Sequence, residues 1–423
     1  MSESKFQVEV NSEIGTLEAV MLHTPGPEVE NMTPKSVERA LYSDILNLSV
    51  ALQEYEQLSL LLEKITKVFQ VKDLLVKVLD NPGDRNALIG KICLSENVSD
   101  YYDELMEMSS KTLANKLIEG LPARIDNLTS FLNEEYYALL PLYNFYFTRD
   151  ASAVVGNNAV ICRMANKVRI RESFIMDAIF ASNPYFKSNV VNTFEQHPHD
   201  RSILMEGGDI LVVRDDILVV GNGMRTSSQG IDMLLSRLSR SAPKGKSYIF
   251  VQQLPSSPES FIHLDMVFTL LDVDKCMVFD PLIQGDTRYS TVQITLHDGK
   301  VEKIRRVPGL LTSLRRLGVD LEPVSCGGND EWNQEREQWH SGANFFAFAP
   351  GKVISYARNE HTLNEMAKHG FEIITSEDVI SGKVDIDKTD KCVVTIAGTE
   401  LSRGGGGARC MTMPLRRKPV VWE

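Results

Sequence analysis

The spacing of apolar residues changes character along the chain. Residues 16 to 23, TLEAVMLH, alternate loosely as a half-buried strand does, and TPGP at 24 to 27 breaks that pattern. From about Pro34 to Leu140 apolar residues recur every three or four positions, which predicts several helices, and NPGD at 81 to 84 interrupts them. The clearest helical run contains Ala51, Tyr55, Leu58, Leu61, Leu62, Ile65 and Phe69.

After Phe147 the pattern becomes one of short strands joined by tight turns. Two β-rich runs flank Asn-Asn at 152 to 162, Asp-Asp at 209 to 220 and Asp-Gly at 292 to 304, and each arrangement predicts a hairpin. Helical stretches such as SQGIDMLLSRLSR, 228 to 240, lie between them. The result is a recurring hairpin, helix and strand unit, which is typical of a modular α/β protein.

These patterns divide the chain into two parts. We expect residues 1–33 and 141–423 to form an α/β domain and residues 34–140 to be a helical insertion within it.

Composition and charge narrow the classes of partner and compartment. A net charge of −12 over 423 residues argues against nucleic acid and is compatible with a cationic small molecule. The six cysteines include no CxxC pair, so neither a zinc knuckle nor a dithiol redox motif is expected. Because there is no signal region at the N-terminus and no apolar run of membrane-spanning length, we expect a cytoplasmic protein without a membrane partner.

Four polar clusters stand at the ends of apolar runs, where a β-rich scaffold presents functional side chains. They are NFYFTRD at 144–150, MEGGDI at 205–210, HLDMVF at 263–268 and GGGGARCM at 404–411. His263 and Asp265 are two positions apart, so on a strand they would share a face. A thiol, an imidazole and carboxylates are sufficient for nucleophilic catalysis.

Each cluster also has a structural interpretation. The glycine run before Cys410 indicates unusual dihedral angles or close approach to a ligand, but it could be a flexible loop before a buried structural cysteine. His263 and Asp265 could be a core pair or metal ligands, although further His or Cys residues in ligand spacing are missing.

The remaining acidic residues have similar alternatives. Glu206 and Asp209 could cap a turn, and Arg149 beside Asp150 could be a surface ion pair.

Taken together, the motifs match a family. FTRD, EGGD, HLDMVFT, REQW (336–339) and GGARCMTMP, in this order, resemble the arginine deiminases of the guanidino-group-modifying superfamily, as does VNSEIGTLEAVMLHTPG at 10–26. The resemblance implies a five-bladed, pseudo-symmetric α/β propeller with a central active site and a helical insertion where this chain has one. It also implies arginine catabolism: L-arginine and water give L-citrulline and ammonia, with no metal or organic cofactor.

The resemblance assigns catalytic roles residue by residue. Cys410 matches the nucleophile that attacks the guanidinium carbon, and His263 matches the general acid and base. Glu206 matches the acid that orients the imidazole. Asp150 and Asp265 match the carboxylates that hold the planar guanidinium fork.

Substrate-binding roles follow in the same way. Asn144, Arg169 and Arg225 match contacts to the α-carboxylate, and a shifted alignment would replace Arg169 by Arg171. Phe147 matches a ring that packs on the substrate.

The chain departs from the family pattern at two positions. Typical members have GRGRGG before the cysteine, whereas this chain has SRGGGG. Arg403 is thus retained as an expected substrate-binding residue, and Gly405 stands where an arginine is expected. Ala151 stands where a proline is usual.

Three other functions use related machinery. An amidinotransferase would share the Cys, His and Asp residues, but the helical insertion and the EGGD and REQW motifs favour the hydrolase. A deiminase acting on a related guanidino compound stays an alternative. A silent guanidino-binding protein would not need Cys410 after a glycine loop. We therefore expect L-arginine as substrate, and the sequence leaves a homo-oligomer open.

Overall fold

Most strands belong to small sheets of one repeated design. The computed structural model describes residues 6–34, 42, 44–132, 136–195, 200–239, 244–258, 261–284 and 288–422. In this part of the chain the fold is mixed α/β, and no helix is both long and apolar enough to cross a membrane.

The strands are β1 (Phe6–Gln7), β2 (Leu17–Leu22), β3 (Lys67–Gln70), β4 (Leu121–Pro122), β5 (Tyr137–Leu139), β6 (Ser152–Val155), β7 (Asn158–Ile161), β8 (Phe186–Lys187), β9 (Asn189–Asn192), β10 (Ile210–Arg214), β11 (Ile217–Asn222), β12 (Lys246–Gln253), β13 (Phe268–Leu270), β14 (Lys275–Val278), β15 (Thr291–His297), β16 (Lys300–Val307), β17 (Glu322–Ser325), β18 (Phe346–Ala349), β19 (Lys352–Tyr356), β20 (Glu372–Thr375), β21 (Cys392–Ile396) and β22 (Met413–Arg417).

The helices are α1 (Pro27–Glu30), α2 (Leu48–Ile65), α3 (Val71–Leu79), α4 (Pro82–Glu96), α5 (Tyr102–Glu107), α6 (Ser110–Glu119), α7 (Leu128–Leu132), α8 (Thr148–Ala151), α9 (Ile170–Ser182), α10 (Ser228–Leu238), α11 (Asp280–Ile283), α12 (Leu310–Arg315), α13 (Glu331–Trp339), α14 (Glu360–Lys368) and α15 (Ser376–Ile380).

Each of the larger sheets is built around an antiparallel pair with a third strand parallel to one member. The pairs β22–β2, β6–β7, β10–β11, β13–β14 and β18–β19 are extended in this way by β3, β9, β12, β17 and β21. A helix precedes the parallel strand in each case, as α9 does between β7 and β9. The predicted hairpin, helix and strand unit is confirmed.

The individual elements predicted after Phe147 are also confirmed. The pairs β10–β11 and β15–β16 are antiparallel hairpins at the Asp-Asp and Asp-Gly turns. The pair β6–β7 is also an antiparallel hairpin, but its turn is Gly156-Asn157, one residue before the expected Asn-Asn. The helix expected at 228–240 is α10, and residue 240 lies outside the described residues. The strand expected at 16–23 is β2.

The helical periodicity was wrong at Phe69. Helix α2 ends at Ile65, and Phe69 lies in β3, which pairs parallel with β2. The spacing of four residues from Ile65 to Phe69 fits either another helical turn or the turn into a short strand. Pairing with the edge of β2 makes this segment a strand. The break expected at NPGD is confirmed, since the Asn81 side chain accepts the N–H groups of Gly83 and Asp84 and starts α4.

The core lies around the segments that carry the polar clusters. The largest group of buried apolar side chains includes Tyr146, Phe147, Leu264 and Cys410. The nucleophile proposed from the sequence is therefore set against the main core. The division into an α/β domain and a helical insertion at 34–140 stays a prediction.

Candidate active site

A small cavity of about 30 Å³ forms where the four polar clusters approach one another. Its walls are Asn144, Phe147, Asp150, Arg169, Arg225, Ile262, His263, Gly404, Gly405, Gly406 and Cys410. Seven of these have catalytic or substrate-binding roles expected from the sequence, and Glu206 and Asp265 lie directly behind His263 and Cys410.

The glycine run brings the backbone close to aromatic side chains. A Cβ on Gly406 would lie 2.5 Å from the Phe147 ring, and one on Gly404 would lie 2.1 Å from the Tyr146 hydroxyl. Gly405 has φ of +81°, the left-handed region that favours glycine. Close approach and an unusual dihedral angle are both present in this loop.

Cys410 is buried beside a carboxylate and an amide. Its Sγ lies 3.7 Å from Oδ2 of Asp265 and accepts a hydrogen bond from Nδ2 of Asn344 at 3.2 Å. Burial raises the pKa of the Cys410 thiol well above its ordinary value, and the charges of Asp265 and Asp150 raise it further. The sulfur is therefore held as a thiol at neutral pH.

His263 is held between two carboxylates. Its Nε2 lies 2.8 Å from Oε2 of Glu206, and its Nδ1 lies 3.8 Å from Oδ1 of Asp150. Burial opposes charging of the ring, but Asp150 and the hydrogen bond to Glu206 outweigh it and raise the pKa of His263 to about 9. The imidazole is thus a cation at neutral pH, ready to donate a proton.

The backbone here is a 3₁₀ turn, whereas the sequence suggested a strand. Leu264–Met266 form this turn directly after His263, so the shared strand face expected for His263 and Asp265 is wrong. The turn still directs both side chains to the site, because Asp209 accepts the N–H of Leu264 at 2.8 Å and fixes its start. Burial raises the pKa of Asp209 to about 6.

Glu206 is fixed from three sides. Besides His263, its carboxylate accepts the N–H of Ala165 at 2.9 Å and faces Nη1 of Arg225 at 3.5 Å. Burial opposes its ionisation, but Arg225 and His263 hold its pKa well below the usual range. It is therefore an anion that orients the imidazole and stabilises its charge.

Asp150 and Asp265 each use one carboxylate oxygen to bind an arginine and, among the described residues, leave the other oxygen without a donor. Oδ2 of Asp150 pairs with Nη1 of Arg169 at 2.8 Å, and Oδ2 of Asp265 pairs with Nη1 of Arg409 at 2.7 Å. Within the described part of the chain, Oδ1 of each residue is buried without a hydrogen-bond partner. A buried carboxylate oxygen without a donor is costly, so a ligand that brings N–H groups would be favoured here.

The structure separates the two arginines that the alignment left open. Arg169 lines the cavity and forms a two-point pair with Glu172 at 2.9 and 2.8 Å. Arg171, in α9, instead donates to the carbonyl oxygen of Leu117 in α6 at 3.0 Å and so points away from the cavity.

Two further arginines differ from expectation. Arg403 does not line the cavity; its guanidinium is partly exposed and pairs with Asp44 at 2.8 Å. The surface ion pair suggested for Arg149 is wrong, because Arg149 is only 3% exposed and donates from Nε to the Thr412 carbonyl oxygen.

Sequence reasoning missed three residues next to the nucleophile. Asn344 contacts Sγ of Cys410, and Arg409 joins Asp265 to Glu13. Asn344 is a lone amide in the apolar stretch ANFFAFA, and Arg409 immediately precedes Cys410. A polar residue interrupting an apolar run was the available signal for the first.

One group of side chains has the geometry of a metal site. Ligand atoms of Asp150, Glu206 and His263 lie within 4.8 Å of one another. The two carboxylates, however, already face the guanidinium groups of Arg169 and Arg225. The positive charge they need is supplied by side chains.

A family model described as arginine deiminase matches residues 38–417, which is most of the chain. The chain belongs to the arginine deiminase family. It is 33% identical over 421 residues to the arginine deiminase of Mycoplasma capricolum subsp. capricolum, with 98% of both chains covered. It is 32% identical over 436 residues to that of Bacillus cereus, covering 98% of this chain and all of that protein. The resemblance found in the motifs is confirmed for the family as a whole.

Solved structures share the fold of this family member at low identity. The N-terminal domain of ArgZ, an arginine dihydrolase from the ornithine-ammonia cycle in cyanobacteria, matches 94% of this chain and 97% of its own, with a TM-score of 0.52 and 15% identity. SxtG, an amidinotransferase from Microseira wollei, matches 98% of both chains, with a TM-score of 0.51 and 12% identity. These likenesses concern the fold alone.

Proposed function

We propose that this member of the arginine deiminase family hydrolyses L-arginine to L-citrulline and ammonia through a covalent intermediate on Cys410. The observation that carries the proposal is the pair of buried carboxylates, Asp150 and Asp265, each with an oxygen that lacks a donor beside a buried thiol. A guanidinium is planar, cationic and rich in N–H donors, so it complements both oxygens and places its carbon near the sulfur.

The amino-acid end of the substrate lies toward the mouth of the cavity in this proposal. Arg225 is 8% exposed and lines the cavity, and among the described residues its one ion pair is the 3.5 Å contact to Glu206. It is therefore the main partner for the α-carboxylate, with Asn144 and Arg169 as further contacts. Phe147 packs on the flat substrate.

The reaction has two stages, the formation of a thiouronium adduct on Cys410 and its hydrolysis. Cys410 releases its proton to solvent water and its sulfur adds to the guanidinium carbon. The C–N bond then breaks as protonated His263 gives its proton to the departing ammonia. Neutral His263 next takes a proton from water, whose oxygen adds to the thiouronium carbon. The C–S bond breaks, citrulline leaves and the sulfur recovers a proton. Water is the only co-reactant.

The wider architecture is proposed on the same basis. The five sheets with one shared topology support a pseudo-symmetric five-bladed propeller around the cavity. Residues 34–140 contribute α2 to α7, as a helical insertion would. However, α2 leads to β3, which belongs to the sheet of β2 and β22, so the inserted part is the one that follows β3. All six cysteines are free thiols, which suits a cytoplasmic enzyme.

The test incubates purified protein with L-arginine and measures citrulline and ammonia. Equal amounts of both products are expected from the wild type, and Cys410→Ala should form neither while remaining folded. Cys276→Ala, which alters a buried cysteine in β14, is the matched control and should retain turnover. Normal activity in Cys410→Ala would refute the proposal.

Two other outcomes would redirect the proposal. Transfer of the amidino group to an added amine, without citrulline, would make the protein an amidinotransferase. Agmatine lacks the α-carboxylate, so a kcat/KM for agmatine equal to that for arginine would point to a related guanidino substrate.

A further inference from the structure

Asn344 connects the two loops that carry Cys410 and Asp265. Asn344 is 1% exposed, and its side chain takes part in five hydrogen bonds. Oδ1 accepts the backbone N–H groups of Arg409 at 2.9 Å and Cys410 at 3.3 Å. Nδ2 donates to the Asp265 carbonyl oxygen at 3.1 Å and to Sγ of Cys410 at 3.2 Å, with a longer contact to Sδ of Met266 at 3.6 Å.

These contacts fix which end of the amide faces the sulfur. Two backbone N–H groups can be satisfied only by the oxygen of Asn344, and a carbonyl oxygen can be satisfied only by its nitrogen. The amide nitrogen must therefore point at Asp265 and Cys410. In the reverse orientation the NH2 group of Asn344 would face the N–H groups of Arg409 and Cys410. Its oxygen would then face the carbonyl oxygen of Asp265.

The surrounding chain holds this amide rigidly. A Cβ on Gly407 would lie 2.7 Å from Oδ1 of Asn344, so a glycine is needed there for the close approach. On the other side, Gln338 of the REQW motif donates to the Met266 carbonyl oxygen at 3.1 Å, and Thr269 donates to that of Ala343 at 2.7 Å. The segment from the REQW motif to Asn344 thus fastens the Asp265 turn beside the nucleophile loop.

We propose that Asn344 is a catalytic residue, which donates a hydrogen bond to the sulfur of Cys410, stabilises its thiolate form and aims it at the substrate carbon. This role rests on the proposed function of Cys410 as nucleophile. Burial and two carboxylates oppose the thiolate, so a fixed donor on the sulfur acts against the dominant local effect. Because the amide of Asn344 is neutral, it donates to the sulfur without forming an ion pair with Asp150 or Asp265. Both carboxylates therefore stay available to the guanidinium of the substrate.

The decisive substitution is Asn344→Asp. It preserves shape and keeps an oxygen for the N–H groups of Arg409 and Cys410, but it replaces the donor by a second acceptor. We expect kcat for arginine to fall about 10- to 100-fold, as for loss of a hydrogen bond to a charged group, with KM changed far less. The pH profile of iodoacetamide alkylation at Cys410, followed by mass spectrometry, should shift to higher pH.

A matched control separates this effect from the loss of any buried asparagine. Asn183 is also 1% exposed, donates to the Leu74 carbonyl oxygen at 3.2 Å and accepts the N–H of Tyr185 at 2.9 Å. It lies at the end of α9, and Asn183→Asp should leave kcat and the alkylation profile of Cys410 as in the wild type.

The outcomes distinguish this inference from the proposed function. Alkylation does not require arginine, so a shifted profile supports the role of Asn344 even if the wild type proves inactive on arginine. Folded Asn344→Asp protein with unchanged kcat and an unchanged profile would refute it. If Asn344→Asp does not fold, Asn344→Ala is measured in the same way, and failure of both to fold would show a purely structural residue.

Discussion

The charge of His263 is set by the residues at its two ring nitrogens. Glu206 lies on one side and Asp150 on the other, and together they overcome the penalty of burial. Because the thiol of Cys410 is held protonated, no thiolate and imidazolium pair is expected before substrate arrives. The guanidinium, placed between carboxylates and sulfur, is the group that shifts the balance toward the thiolate.

The raised pKa of His263 makes stability depend on pH. Its pKa rises from 6.5 to about 9 on folding, so between these values the folded protein binds more protons than the unfolded chain. The stabilisation is complete below pH 6.5 and is lost as pH rises through 9, a change of about 3 kcal/mol. Urea unfolding at several pH values should show this fall in the wild type.

Two variants serve as comparisons in that experiment. His263→Gln removes the titrating group, so its stability should depend less on pH between 6.5 and 9. His297 is 57% exposed in its side chain, and His297→Gln should follow the wild type. An equal pH dependence in His263→Gln and the wild type would contradict the assignment.

The sequence predicted the reactive residues better than their supports. Cys410, His263, Glu206 and Asp150 lie in motifs whose residue types already indicate their chemistry. Asn344 acts through the orientation of one amide, which depends on backbone groups brought together only by folding. The same reason explains why Glu13 and Arg409 were missed, since their pairing joins opposite ends of the sequence.

At the scale of elements, the glycine loop controls how close Cys410 comes to the aromatic wall. Gly406→Ala would place a methyl group 2.5 Å from the Phe147 ring and 3.0 Å from Cβ of Cys410. The ring or the loop must shift, so we expect kcat to fall at least tenfold, as misplacement of a reacting group by about 1 Å commonly does. Steady-state kinetics with arginine measure this.

The control for this loop is a glycine with a positive φ, at which an added Cβ would contact no other atom. Gly370, after α14, has φ of +87° and no atom within 4 Å of a Cβ built on it. Gly370→Ala should lower the free energy of unfolding by about 1 kcal/mol and leave kcat unchanged. If both variants retain full kcat, close approach at Gly406 has no catalytic importance.

Element prediction succeeded where local chemistry and tertiary pairing agreed. The Asp-Gly turn forms a hairpin because Asp298 and Gly299 both adopt the positive φ that this turn requires. It failed at Phe69 and at the turn after His263, where hydrogen bonds to β2 and to Asp209 decide the backbone. Neither partner is close in sequence, so no window around these residues contains the information.

At the scale of the whole molecule, Glu13 ties the start of the described chain to the nucleophile loop. Arg409 donates to it from Nε at 3.1 Å and from Nη2 at 3.0 Å, and also holds Asp265. Burial opposes ionisation of Glu13, but Arg409 and Arg149 lower its pKa to about 2.

This pair should contribute to stability at neutral pH. Because the pKa of Glu13 is 4.5 in the reference state and about 2 when folded, its contribution is present above pH 4.5 and is lost as pH falls toward 2. Glu13→Gln should therefore lower the free energy of unfolding by about 3 kcal/mol at pH 7 and by much less near pH 2. Urea unfolding at both pH values measures the difference.

The control exploits a second ion pair between the same two segments. Glu18 pairs with Arg416 at 2.8 Å, but both side chains are about one-third exposed. Glu18→Gln should change stability by less than about 1 kcal/mol. A Glu13→Gln effect no larger than this would mean that the buried pair adds nothing beyond a surface contact.

The pairing of β2 with β22 has a consequence for biosynthesis. A ribosome releases β2 long before β22, the strand that pairs with it in an antiparallel arrangement. Until then one edge of β2 remains open, and Arg409 has not been translated to meet Glu13. The nascent chain therefore cannot display an aligned thiol while it is being made, and premature termination yields products without catalytic reactivity.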